Sequence, residues 1–187
     1  MSSTSRAHVL PSRRRALALV GAGLLLASAA CAPAVQAERS ASYDFASANT
    51  YAWITDDLVL IELGEPQPKV RTKDNELRVR AAIERELAAR GFTKAPHDQA
   101  ALLVSFSVGV RIRYRVEGGQ GNAVTGVGGP SEPQTKGTLN IYLIDRAQEH
   151  EVWHGSTSKW LRKSDDPTAV VNEAVAKVMA VYPNAAP

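Results

Sequence analysis

Cysteine occurs once in the 187 residues, so no intramolecular disulfide framework can carry the fold. No apolar run reaches the roughly 20 residues that a helical membrane span needs; the longest, Ala16 to Ala30, stops at fifteen. There is no Gly-Lys-Ser/Thr phosphate loop, no G-x-G-x-x-G opening a helix, no nucleophile elbow and no internal repeat. Acidic residues are missing from the first thirty positions, which hold Arg6, Arg13, Arg14 and Arg15. The sequence pI of 9.1 is therefore a property of the leader. Without those four arginines, 18 basic residues face 19 acidic ones, a net charge of −1. A basic nucleic-acid surface loses its main support, and no nucleic-acid partner is expected.

What is present begins with an address. Arg13-Arg14-Arg15, a short apolar core and small residues at its end form a secretory signal over residues 1–30. The single cysteine, Cys31, directly follows Ser28-Ala29-Ala30 and resembles the lipidated cysteine of a bacterial lipobox. Ala32 is not the Asp that retains lipoproteins in the inner membrane, so the resemblance implies an outer-membrane anchor. Residues 31–42 would then be a tether. The alternative is ordinary cleavage after Val35-Gln36-Ala37, which would discard Cys31 and release a soluble protein.

Beyond residue 42 the chain reads as one domain. Tyr43 to Ile54 is aromatic and β-branched, a strand with an irregular lead-in. Residues 55–69 carry Pro66 and Pro68 and read as loop. Val79, Ile83 and Leu87 recur every fourth residue from Asp74 to Arg90, with Glu76/Arg80 and Glu86/Arg90 at ion-pair spacing and Gly91 as the stop. A short strand at Phe92–Lys94 follows. From Val104 to Val116, apolar residues alternate with polar ones at period two, which predicts a long strand with one buried face. Residues 117–137 hold seven of the thirteen glycines and read as a flexible loop. Strands at 138–145 and 151–161 come next, and then a helix capped by Asp166 with Pro167 in its first turn. Its stripe runs through Val171, Ala174, Val175, Val178, Met179 and Tyr182. The order predicts an α+β two-layer sandwich: a mostly antiparallel sheet of four to five strands with two helices on one face.

These pieces occur in a particular order. Asp44-Phe45 and Thr50-Tyr51-Ala52-Trp53 come first, then Ala88-Ala89-Arg90-Gly91-Phe92 and Ala101-Leu102-Leu103-Val104-Ser105-Phe106. Gly137 to Asp145, Val152-Trp153-His154-Gly155 and Asn172 to Lys177 complete the series. Together they resemble the DUF4136 family of bacterial envelope lipoproteins over essentially the whole mature chain. The resemblance implies a location and a fold and supplies no activity.

One motif points elsewhere. His150-Glu151-Val152-Trp153-His154 matches H-E-x-x-H, and Glu173 lies 19 residues further on, a spacing that resembles a third zinc ligand. The chemistry needs a helix, where one turn brings both histidines to the same metal. Between two β-like segments the motif reads as strand, which spreads residues four apart over ~13 Å. The expectation is a non-enzymatic protein without metal or cofactor, with a zinc-dependent hydrolase as the alternative. Arg111, Arg113 and Arg115 share one face of the long strand, either as an anion-binding comb or as solvated charges that discourage edge pairing. Trp53, Trp153 and Trp160 read as core or sheet-face aromatics. The expected partners are the membrane, through the lipid, and an anionic envelope polymer or another envelope protein.

Overall fold

The computed structural model describes residues 35–60, 69–114 and 133–183. Cys31, Arg115 and residues 117–132 of the glycine-rich stretch lie outside them.

Eight elements follow in order: β1 (Gln36–Arg39), β2 (Thr50–Trp53), α1 (Lys73–Ala89), β3 (Thr93–Lys94), β4 (Leu102–Tyr114), β5 (Pro133–Asp145), β6 (His150–Leu161) and α2 (Pro167–Met179). The strands form one sheet in the order β1-β6-β5-β4-β2-β3. β4, β5 and β6 make the antiparallel meander that three uninterrupted strand patterns required, and β1 adds to β6 antiparallel. Both helices pack on the same face. The α+β architecture is the expected one, with six strands where four to five were anticipated and a mixed pairing. β2 runs parallel to β3 and to β4, because a strand that leads into a helix and returns beside itself comes back in the same direction.

Three expected boundaries move. Gln36–Arg39, inside the stretch read as tether, is strand β1, paired from Gln36↔Ser156 to Arg39↔Trp153. Its four residues are exposed and show no apolar alternation. Residues 133–137, read as loop from their Pro and Gly, are the start of β5 and pair with β4 from Tyr114↔Pro133. Of the stretch from Tyr43 to Ile54 only Thr50–Trp53 is strand; Asp44 turns the lead-in by accepting a hydrogen bond from Ala46 N.

The helices follow their sequence signals closely. Thr72 caps α1 by accepting from Asn75 N at 3.2 Å, and Gly91 beyond its end adopts φ +83°. Asp166 caps α2 through Ala169 N. Val79, Ile83 and Leu87 from α1 and Val175, Val178 and Met179 from α2 are buried against Leu102, Val104, Phe106, Leu139, Ile141 and Leu143 of the sheet. Arg85 Nη2 donates to Asn172 Oδ1, and Arg90 Nη2 donates to the Met179 carbonyl, which pins one helix to the other.

Two buried details tighten the packing on this face. The ring of Trp153, 1% exposed, lies across Gly155 two residues on. A Cβ at Gly155 would stand 2.5 Å from Trp153 Cη2 and 2.7 Å from Val178 Cγ1. Glu76, expected as one half of a helix-surface ion pair, is fully buried. It accepts from Val59 N (3.0 Å), Leu60 N (2.7 Å) and Arg80 Nε (3.2 Å), while Arg80 donates to the carbonyls of Thr55 and Asp57 and covers the Trp53 ring. The pair therefore fastens the loop after β2 to α1.

Replacing Gly155 by Ala forces the indole or α2 to move, and overpacking of this kind costs about 1–3 kcal/mol; urea denaturation of G155A reads it as a lower midpoint. A second expectation concerns Glu84, which accepts from Trp53 Nε1 (2.8 Å) and Lys94 Nζ (2.9 Å). Burial pushes this carboxyl up, but the bonds from Trp53 and Lys94 and the charges of Lys94 and Arg80 outweigh it and hold it below its ordinary value. Its contribution to stability is therefore present above the carboxylate range and lost as pH falls through it. The difference in urea midpoint between wild type and E84Q is expected to shrink on acidification from pH 6 to pH 3.

Candidate functional site

The face of the sheet opposite the helices is built by the residues between the core positions. On β4 these are Ser105, Ser107, Gly109, Arg111 and Arg113; register sets Tyr142, Asn140, Thr138, Lys136 and Gln134 of β5 beside them. His154, Ser156, Ser158 and Trp160 of β6 continue the rows, and Glu38 of β1 lies next to His154. At one end this face is closed by a small apolar cluster of Ala52, Ala100 and Leu103 under the turn at residues 96–99. From Ser107 onwards β4 presents its polar residues to solvent.

Two zones divide the open part. The first is hydrogen-bonded. Asn140 Nδ2 donates to Ser107 Oγ at 3.0 Å, Ser107 Oγ lies 3.4 Å from the Tyr142 hydroxyl, and His154 Nε2 lies 3.4 Å from Asn140 Oδ1. Tyr142 and His154 stack at 4.6 Å with an 11° tilt. The second zone is cationic. Trp160, 41% exposed, carries the Arg113 guanidinium at 4.9 Å and the Lys136 ammonium at 6.0 Å from its ring centroid. Arg113 also donates to Gln134 Oε1. Arg111 is the direct cross-strand neighbour of Lys136. Among the described residues none of these three cations has a carboxylate partner.

Arg111 and Arg113 thus share a face, as period two demands. Lys136 was not foreseen, because it sits in the part of β5 that reads as loop. The signal was present in Lys136-Gly-Thr-Leu-Asn, whose polar positions fall in step with those of the neighbouring strand once pairing is known.

The H-E-x-x-H segment is strand β6. A bulge between Leu143 and Ile144 in the β5–β6 register leaves Val152 as an extra residue, so His154 pairs with Tyr142 and His150 pairs with Asp145. Tyr142 and Asp145 belong to opposite faces of β5, and the two histidines follow them to opposite faces of the sheet. Glu173 on α2 accepts from Lys159 Nζ (3.1 Å) and Lys177 Nζ (2.6 Å). These two hydrogen bonds and charges hold its carboxyl below the ordinary value. Among the described residues no three His, Cys, Asp or Glu side chains converge on a point where a metal could sit. What fixes Val152-Trp153-His154-Gly155 is packing: Trp153 needs the space that Gly155 leaves.

A one-sided α+β sandwich with an open, polar and partly cationic sheet face is the class that this geometry defines. The model of DUF4136, a domain of unknown function, matches residues 35–184, and the chain belongs to that family. No curated protein matches it. Among solved structures, the PelC dodecamer from Paraburkholderia phytofirmans is 14% identical, with 80% of this chain and 96% of that one covered at a TM-score of 0.48. A PDZ-domain protein from Parabacteroides distasonis is 15% identical, with 83% and 36% covered at a TM-score of 0.52, and shares the fold over about a third of its own length.

Added zinc is expected to leave the thermal midpoint unchanged, and E151Q to hydrolyse peptides no more slowly than wild type. A zinc-dependent peptidase activity that disappears in E151Q would refute the strand-based account of the motif.

Proposed function

We propose that the chain is a non-enzymatic lipoprotein of the bacterial envelope, acylated at Cys31 and held at the outer membrane, which acts by binding an anionic envelope polymer through the open face of its sheet. The observation that carries the proposal is the cluster of Arg111, Arg113 and Lys136 around Trp160 without a neutralising acid among the described residues. Cross-strand neighbours of like charge repel, and the chain beyond its leader has a net charge of only −1. Concentrating three cations on one uncovered patch is therefore unfavourable for folding and favourable for an anionic partner. Arginine adds bidentate geometry toward phosphate or carboxylate. The adjacent row of Ser107, Asn140 and Tyr142 offers donors and acceptors for a hydroxylated backbone.

Strand β1 supports processing at Cys31. Cleavage after Ala37 would remove Gln36 and Ala37, half of the strand, together with their pairing to Ser156 and Gly155. Cleavage before Cys31 leaves β1 whole.

Two measurements test the proposal. Mass spectrometry of the mature protein is expected to find an acylated Cys31 at the N-terminus; a free Glu38 there would remove the anchor. Binding to lipopolysaccharide is expected to weaken with salt and to fall about a hundredfold in R111E/R113E/K136E, at about 1 kcal/mol per cation. Unchanged binding by this variant would exclude the open face.

A further inference from the structure

The other face of the sheet holds a feature that the open-face proposal does not use. Beside Leu161, between the sheet and the two helices, lies a half-open cavity of about 120 Å³. Gly137 and Leu139 of β5 form its floor, Val79 of α1 one wall, and Val171 and Ala174 of α2 the other. Gly137 contributes no side chain to that floor. Its backbone φ is not in the left-handed region, so nothing in the chain geometry demands glycine there. A Cβ would instead stand 3.1 Å from Leu161 Cδ1. A glycine in the interior of a central strand weakens it and marks a place where something approaches the backbone closely.

The rim differs from the walls. Lys69, Lys159, Arg162 and Asp165 line it. Lys159 shares the single carboxylate of Glu173 with Lys177, so two ammonium groups face one acid. The Asp165 carboxylate accepts the backbone N–H of Arg162, and the Arg162 guanidinium has no hydrogen bond or ion pair among the described residues. Among the described residues, Lys159, Lys177 and Arg162 at the mouth face only Glu173 and Asp165, above walls that are mostly apolar and include Asn75 and Thr157.

We infer that this cavity binds the apolar end of a carboxylate amphiphile, with the carboxylate at the rim beside Arg162 and Lys159. Aliphatic cavities of about 150 Å³ stay dry and take up a molecule of the size of benzene. A slightly smaller, half-open one accommodates the last few carbons of an alkyl chain and leaves the remainder to run out toward the rim. The walls supply affinity through burial of apolar surface, and the rim selects the charged head.

The test uses the 187-residue chain with sodium octanoate and, as its uncharged counterpart, 1-octanol. Octanoate is expected to raise the thermal midpoint and to shift the methyl resonances of Val79, Leu139 and Val171 saturably, and octanol to bind at least fivefold more weakly. Ala174→Leu fills the cavity and is expected to reduce octanoate binding at least tenfold while the chain stays folded by circular dichroism. Should that variant not fold, Val171→Phe serves the same purpose. Arg162→Gln is expected to lower octanoate affinity and to leave octanol affinity unchanged. Absence of saturable methyl shifts, or undiminished binding by a folded, cavity-filled variant, would overturn the site. Equal affinity for octanol and octanoate would overturn the role of the rim. Neither result bears on lipopolysaccharide binding by the opposite face, so the two proposals fail separately.

Discussion

The contact between Trp153, Gly155 and Val178 sets the thickness of this protein. An indole laid flat along its own strand needs the next residue on that face to have no side chain, and α2 can then descend until Val178 touches the place a methyl would fill. The helix seated there completes an aromatic cluster in which Tyr182 meets Trp153, Phe45 and Phe92 edge to face at 5.4–5.9 Å. α1 is then tied to α2 through Arg85 and Arg90. The indole fills the space between the layers at Gly155, and the cavity lies elsewhere between them, beside Leu161. With both helices committed to one side, the other side of the sheet is left to the polar alternates of β4, β5 and β6. The open face and the cavity are the two surfaces proposed above to bind ligands.

Much of the fold was legible because its strongest signals are local. The fourfold spacing of Val79, Ile83 and Leu87, the Asp166-Pro167 start of α2 and the alternation along β4 each specify an element without reference to the rest of the chain. What escaped depends on partners. Gln36–Arg39 has no strand signal of its own and is a strand because β6 offers it an edge. Pro133 to Gly137 carries turn residues, and Pro133 fits because it is the first residue of its strand. The parallel direction of β2 followed from the strand–helix–strand order and could have been deduced. The bulge at Val152 could not, since its only trace is two successive apolar residues, Val152 and Trp153, that are both buried.

The candidate site shows the same division. That Arg111 and Arg113 share a face is legible because they lie two apart on a recognisable strand. The stack of His154 on Tyr142, and the Ser107–Asn140 bond, join residues 12 to 33 positions apart and exist only through register. Glu76 illustrates the converse error. Its spacing to Arg80 describes a solvent-exposed helix pair equally well, and its burial results from the loop at Val59 and Leu60 folding down to give it two backbone donors. In H-E-x-x-H the residue types are those of a metal site, but the backbone decides where they point, and here a bulge sends the two imidazoles apart.

Because β1 begins at Gln36, only five residue steps separate the sheet from Cys31. At no more than about 3.5 Å per residue, an acylated chain would be on a leash of roughly 18 Å. Such a molecule could not patrol the periplasm at arm's length; it would ride close above the leaflet, its edge strand nearest the lipid. Whatever such an anchored molecule recognised would have to come down to the membrane surface to be met.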